Sequence, residues 1–233
     1  MRRRVGTPGM AGIGMVSALG PGSGSAAVFG GAAGWWEVAG KTCVAAYQPK
    51  GAASLAASYI NLANPGTYNA APGVAPTHNP AVGWTFTTAQ WLNTAYIPAS
   101  TQSRSIMVRI NNGAAGGYQS LAGMLGAGEN FHLRVTQTGT HMWGNGQLIS
   151  GGVPEYTTGV VGISGNQGYY NGTAQGGLIP WAAGNPVAVY LGGNNNGGSF
   201  ANGWAGDVIA FAIYSDTLTA GEVSALSTRM AAL

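Results

Sequence analysis

Charge is scarce in this chain: nine Lys or Arg and six Asp or Glu stand among 233 residues, where a globular protein averages about 25% charged. That scarcity excludes a charge-driven disordered tail, and it excludes a coiled coil, which needs a charged, glycine-poor repeat. Cysteine is scarcer still. Cys43 stands alone, so the chain forms no internal disulfide and is not a disulfide-stapled module. No run of about 18 apolar residues escapes polar or Gly/Pro interruption, so no membrane span is expected. The formal net charge of +3 does not describe a basic face, because Arg2, Arg3 and Arg4 account for all of it. Nucleic-acid binders carry a Lys/Arg stripe with interleaved aromatics, and none follows residue 4, so no nucleic-acid partner is expected.

Catalytic patterns are missing as well. The six acids are Glu37, Glu129, Glu155, Asp207, Asp216 and Glu222, and no two are adjacent or alternate. Glycosidases hold two carboxyl groups about 5–9 Å apart, and no single strand of this sequence presents such a pair. There is no G-x-S-x-G elbow, and the Gly-rich runs lack the Lys and Ser/Thr of a phosphate loop. Cys43 has no histidine nearby in sequence and begins an apolar stretch, which reads as a buried structural thiol. His78, His132 and His141 lack ligand spacing, although His132 and His141 could face each other across a hairpin. No catalytic residue, metal ligand or cofactor is assigned, and the chain is not expected to be an enzyme.

What is abundant is glycine, 41 residues, together with 7 Trp, 10 Tyr and 5 Phe. The glycines follow no third-residue period, which excludes collagen. They divide into two populations. Residues 1–40 hold 11 Gly and 7 Ala, with no acid before Glu37 and no hydrophobic period of 2 or 3.6. The first 26 residues imitate a signal peptide, but Pro8 and the glycines at 6, 9, 12 and 14 would break its apolar helix. The segment reads instead as an extended arm. Its first 34 residues could reach about 110 Å at about 3.3 Å per residue, enough to cross a neighbouring subunit. Trp35 and Trp36 close it, either packed onto the body or at an interface.

Residues 41–233 read as one β domain. Ile106, Val108 and Ile110 alternate with Met107 and Arg109; Phe131, Leu133 and Val135 alternate with His132, Arg134 and Thr136. Further strands are expected at 156–164, 186–191 and 207–214. Turns are expected at 137–140, at Asn145-Gly146 and throughout Gly192–Gly198. Short strands with frequent turn signals indicate a sandwich or barrel. Near the end, Thr219 and Glu222 form a capping box, Leu218 and Val223 a hydrophobic staple, and Val223, Leu226 and Met230 a helical stripe.

Several of these segments resemble LamG/concanavalin A-like jelly rolls. The run Gly206–Leu226 is similar to that family's closing strand, turn and short helix. Gly165–Thr173 resembles its Y-x-N-G hairpin, and Tyr190-Leu-Gly-Gly its l-y-I-G strand. Ala45–Ser54, Asn61–Gly66 and Trp84-Thr-Phe86 resemble the opening of LamG-like domains often found in bacteriophage-encoded proteins. The resemblance spans roughly residues 43–230 and implies an all-β jelly-roll sandwich with an N-terminal arm and a short C-terminal helix. Some members bind calcium through loop carbonyls and one or two acids; Asp207 is the one acid near a matching strand, and no calcium site is assigned.

This fold carries lectins, glycosidases, adhesins and virion components alike. A charge-poor surface, an arm that cannot fold alone and the phage-type resemblance point to a virion structural protein, a capsid decoration or tail appendage assembled in the host cytoplasm. Its arm, with Arg2, Arg3, Arg4, Trp35 and Trp36, would dock to other virion proteins or to copies of itself. The alternative is a lectin-like module for host-surface glycans. The Gly/Asn loops would then supply hydrogen bonds near an aromatic platform drawn from Tyr118, Trp143, Tyr169, Tyr170 and Trp181, with Asn195.

Overall fold

In a computed structural model, described for residues 34–99, 104–114, 118–126, 129–136, 140–142, 148–150, 156–178 and 184–233, the apolar alternation of the sequence becomes two facing sheets. The first half of the chain supplies β1 (Cys43–Tyr47), the short helix α1 (Leu55–Ser58), β2 (Ala71–Val74), β3 (Thr77–Asn79), β4 (Gly83–Phe86), β5 (Trp91–Asn93) and β6 (Ser105–Asn111). The middle supplies β7 (Tyr118–Gly126), β8 (Glu129–Thr136), β9 (Thr140–Met142), β10 (Leu148–Ser150), β11 (Gly159–Ser164), β12 (Gln167–Tyr170) and β13 (Thr173–Leu178). The chain ends with β14 (Tyr190–Leu191), β15 (Asn194–Asn196), β16 (Ser199–Ala201), β17 (Gly206–Tyr214) and α2 (Ala220–Ala231).

An eight-stranded sheet runs β13-β12-β11-β6-β17-β4-β3, with β1 also paired to β17. A seven-stranded sheet runs β16-β15-β7-β14-β5-β2, with β8 paired to β7. Strands β9 and β10 pair separately, and the turn expected at Asn145-Gly146 lies outside the described residues. Gly34–Leu233 belong to one compact unit, so Trp35 and Trp36 are part of the body. Trp35 is buried in the cluster beneath α2 and meets Trp36 edge-on at 5.7 Å, while the Tyr214 hydroxyl donates to the Trp36 carbonyl at 2.6 Å. Arg2, Arg3 and Arg4, with the rest of residues 1–33, lie outside the described residues.

Strand β17 shows how the sequence pattern builds two cores. Val208, Phe211 and Ile213 point between the sheets, where they meet Ile106, Val108, Leu133 and Leu191. Ala210, Ala212 and Tyr214 point to the other face, beneath Val223, Leu226 and Met230 of α2. The register slips between Val208 and Ala210, so Ile209 is the extra residue of a β-bulge. A strand covered on both faces reads as a near-continuous apolar run, and all nine of its residues are buried; the one charge, Asp207 near its start, is bonded through both oxygens. Its small Ala210 and Ala212 leave room for the helix. The expected capping box of α2 is formed: Glu222 accepts from the Thr219 backbone N–H at 2.7 Å, which holds its carboxyl below the usual range, and Lys41 stands 3.7 Å away.

Two expectations need correction. Gly192–Gly198 is not all turn, because Asn194–Asn196 form β15, antiparallel to β16 and parallel to β7. Asn195 tolerates that burial by donating to the Ala188 carbonyl at 2.9 Å; Asn194 accepts from Asn202 at 2.9 Å, and its Nδ2 has no partner among the described residues. The strand expected over 186–191 is regular only at Tyr190–Leu191. The residues before it bond to 94–96, where Ala95 has φ of 58°, too irregular for a ladder.

Candidate functional site

Strands β6, β11 and β17 lie side by side, and their registers bring Arg109, Val160 and Ala210 into one row. Arg109 interrupts an otherwise apolar strand. It points to the same face as Met107, toward α2, and its Nη1 donates to the Met230 carbonyl at 2.6 Å. A guanidinium at the last carbonyls of a helix satisfies an orphan acceptor and opposes the negative end of the helix dipole. Burial pulls the Arg109 pKa below its ordinary value.

Beside this contact a cleft of about 310 Å³ opens. Its apolar lining includes Val160, the bulged Ile209 and Ala231 at the helix end; its polar lining is Lys50, Arg109, Asn111, Asn112, Thr158 and Asn171. The loops arrange these groups by short bonds. The Thr158 hydroxyl donates to Asn111 Oδ1 at 2.9 Å. Asn171 Oδ1 accepts from the Val160 N–H at 2.9 Å. Asn171 and Gly172 both have positive φ, 47° and 78°, which makes the two-residue hairpin expected for this Asn-Gly pair. Asn112 donates to Asp207 Oδ2 at 2.7 Å, and Thr85 donates to Oδ1 at 2.6 Å, so Asp207 touches the cleft only through an amide.

Of the aromatic platform expected from the sequence, Tyr169 and Tyr170 have described side chains, and neither is in the lining of this cleft. Tyr169 is buried beneath α2. Tyr170 is half-buried, stacked on Tyr156 at 3.8 Å, and its hydroxyl donates to the Thr158 carbonyl at 2.8 Å. Asn195 is buried and staples a turn through the Gly198 N–H at 2.7 Å. Tyr118 opens β7 opposite Thr136, and Trp143 and Trp181 lie outside the described residues. Residue-by-residue reading of the sequence missed the cleft because its walls come from seven separate stretches. The signals that point to it are small: a lone Arg in an apolar strand and the Asn111-Asn112 pair that follows.

His132 and His141 do not face each other. His132 is opposite Gly123 in β7 and His141 opposite Ile149 in β10. His132 is 1% exposed, both ring nitrogens lack a partner among the described residues, and burial pushes its pKa down to about 3. The unfolded chain therefore binds a proton that the folded chain refuses, so stability present above pH 6.5 is lost as the pH falls toward 3. Denaturant titrations should show about 2 kcal/mol less stability at pH 5 than at pH 7.5, and His132→Gln should flatten that dependence.

Burial likewise pushes the Cys43 thiol up to about 12 from 9.0. Iodoacetamide at pH 8 should label the native thiol on the order of 10³ more slowly than the same thiol in urea, which mass spectrometry of timed samples would read. Among the described residues no three His, Cys, Asp or Glu are placed to hold a metal ion.

The fold has relatives among solved structures. The sequence matches no protein-family model and no curated protein. Its structure is similar to a mutant Trypanosoma rangeli sialidase displaying trans-sialidase activity, with a TM-score of 0.57 and 14% identity over 81% of this chain. That match covers 33% of the sialidase chain, so this protein spans about a third of it. It is also similar to domain 4 of an extracellular arabinanase from Geobacillus stearothermophilus, solved with arabinotriose. There the TM-score is 0.54 and the identity 14%, over 80% of this chain and 98% of that domain. The chain is a jelly-roll β-sandwich. At this identity the likeness establishes the fold and nothing finer.

Proposed function

We propose that this jelly roll is a non-catalytic, lectin-like carbohydrate-binding module. The observation that carries the reading is the cleft beside Arg109, where three asparagine amides, a threonine hydroxyl and two cations surround an apolar floor. Sugars need that combination: donors and acceptors for the hydroxyls, and an apolar surface for the C–H face of the ring. The volume, about 310 Å³, lies at the lower end of small-molecule sites and suits one or two sugar residues. The arabinanase domain lends support, since its nearly complete match is to a domain solved with a trisaccharide. Among the described residues no carboxylate lines the cleft, which favours binding over glycoside hydrolysis.

A glycan array probed with the full chain tests this, followed by calorimetry on the strongest ligand. Asn111→Ala should weaken that ligand at least tenfold while far-UV circular dichroism stays unchanged. An array silent across neutral and acidic glycans would sink the proposal. A place on a virion, docked through residues 1–40, rests on composition and on the phage-type resemblance alone; neither solved relative named above is a virion protein. No helix among the described residues is long and apolar enough to cross a membrane.

A further inference from the structure

We infer that the cleft selects a glycan whose recognised residue bears a carboxylate, an inference that rests on the carbohydrate-binding reading above. The charged groups in the lining are Lys50 and Arg109, and both are cations. No carboxylate among the described residues is found within ion-pair distance of either. Asp207, the acid bonded to a cleft residue, has its two oxygens engaged by Thr85 and Asn112.

Arg109 spends one donor on the Met230 carbonyl. A guanidinium has five donors in a planar fork, so a further edge remains to take both oxygens of a carboxylate. A half-buried guanidinium with an uncharged partner is short of anionic compensation, and a ligand carboxylate would supply it in a bidentate geometry. The end of α2 opposes an anion with about half a negative charge. Two full cationic charges outweigh it. Lys50, also in the lining, sits on a flexible stem and contributes a point charge rather than a fork. The amide oxygens of Asn111 and Asn171 are engaged by Thr158 and the Val160 N–H, which turns their NH2 groups to ring hydroxyls as donors, while Val160 and Ile209 meet the ring's apolar face.

The test uses the full chain on an array holding hexuronate-, nonulosonate- and sulfate-bearing oligosaccharides beside neutral ones. The expected result is preference for carboxylated members, at least tenfold over the same sugars with the carboxylate methyl-esterified. Lys50→Gln should weaken the best ligand about fivefold. Arg109→Lys, which keeps the charge and a donor for Met230, should weaken it further because the fork is lost; α2 is monitored by circular dichroism. Raising salt from 50 to 500 mM should weaken binding several-fold. Neutral and carboxylated members bound alike, with no effect of Lys50→Gln, would overturn this inference and leave the carbohydrate reading standing. Preference for sulfated members alone would overturn the carboxylate assignment. Silence across the array would overturn both.

Discussion

Replacing Trp84 by alanine should lower the unfolding free energy by about 4 kcal/mol, within the range for deleting a fully buried aromatic. Trp84 has no exposed surface. Its ring lies 6.0 Å from Tyr47, 6.0 Å from Tyr59 and 6.3 Å from Phe86, so one truncation strips contacts from three other rings. Its indole N–H also donates to the Ser58 hydroxyl at 2.7 Å, and Ser58 in turn donates to the Leu55 carbonyl at 2.6 Å. Truncation therefore leaves a cavity and a buried hydroxyl oxygen without its donor, and the two costs add. Trp84→Phe keeps most of the ring and loses the bond, and should cost about half as much. Urea unfolding followed by far-UV circular dichroism would measure both. A loss below about 1 kcal/mol for Trp84→Ala would show that α1, which carries Ser58, collapses into the space.

The second large effect is expected at Gly123, and it has the opposite origin. Gly123 sits in β7 with φ of 145°, a region L residues rarely adopt, directly opposite His132 in β8. A Cβ there would lie 2.3 Å from the His132 Cα and 2.5 Å from the Phe131 carbonyl oxygen. Those atoms are backbone, so no side chain can swing aside. The two strands must separate or the register must slip, and the same face already holds buried His132 and Tyr190 across the row. Gly123→Ala should cost about 3 kcal/mol or more, from steric overlap and backbone strain together. Hydrogen exchange would place the damage: amides of β7 and β8 should lose protection before those of β6 and β17. Uniform loss across both sheets would mean that the sandwich has no such division.

Much of the architecture is legible along the chain because it depends on neighbours in sequence. The alternation of Ile106, Val108 and Ile110 sets the inward face of β6 whatever it pairs with. Thr219 and Glu222 cap the start of α2 through bonds three residues apart, and Asn171-Gly172 turns the β12–β13 hairpin through local backbone preference. Legibility fails where long-range partners override composition. Asn194 and Asn195 read as loop residues, yet pairing with β16 and β7 and buried amide bonds make them strand. Tyr169 reads as a surface aromatic, and the helix docked over it makes it core.

Scarcity of charge, the single cysteine and the period-two pattern thus determine by themselves that this is a charge-poor β-sandwich without disulfides, because those properties need no partner in space. The cleft is different. Lys50, Arg109, Asn111, Thr158, Asn171 and Ile209 meet only after three strands align in register, one bulge displaces Ile209 and the end of a distant helix closes one wall. Loop lengths and registers decide such meetings, and no local pattern encodes them. The tertiary structure alone turns a lone arginine in an apolar strand into half of a cationic site.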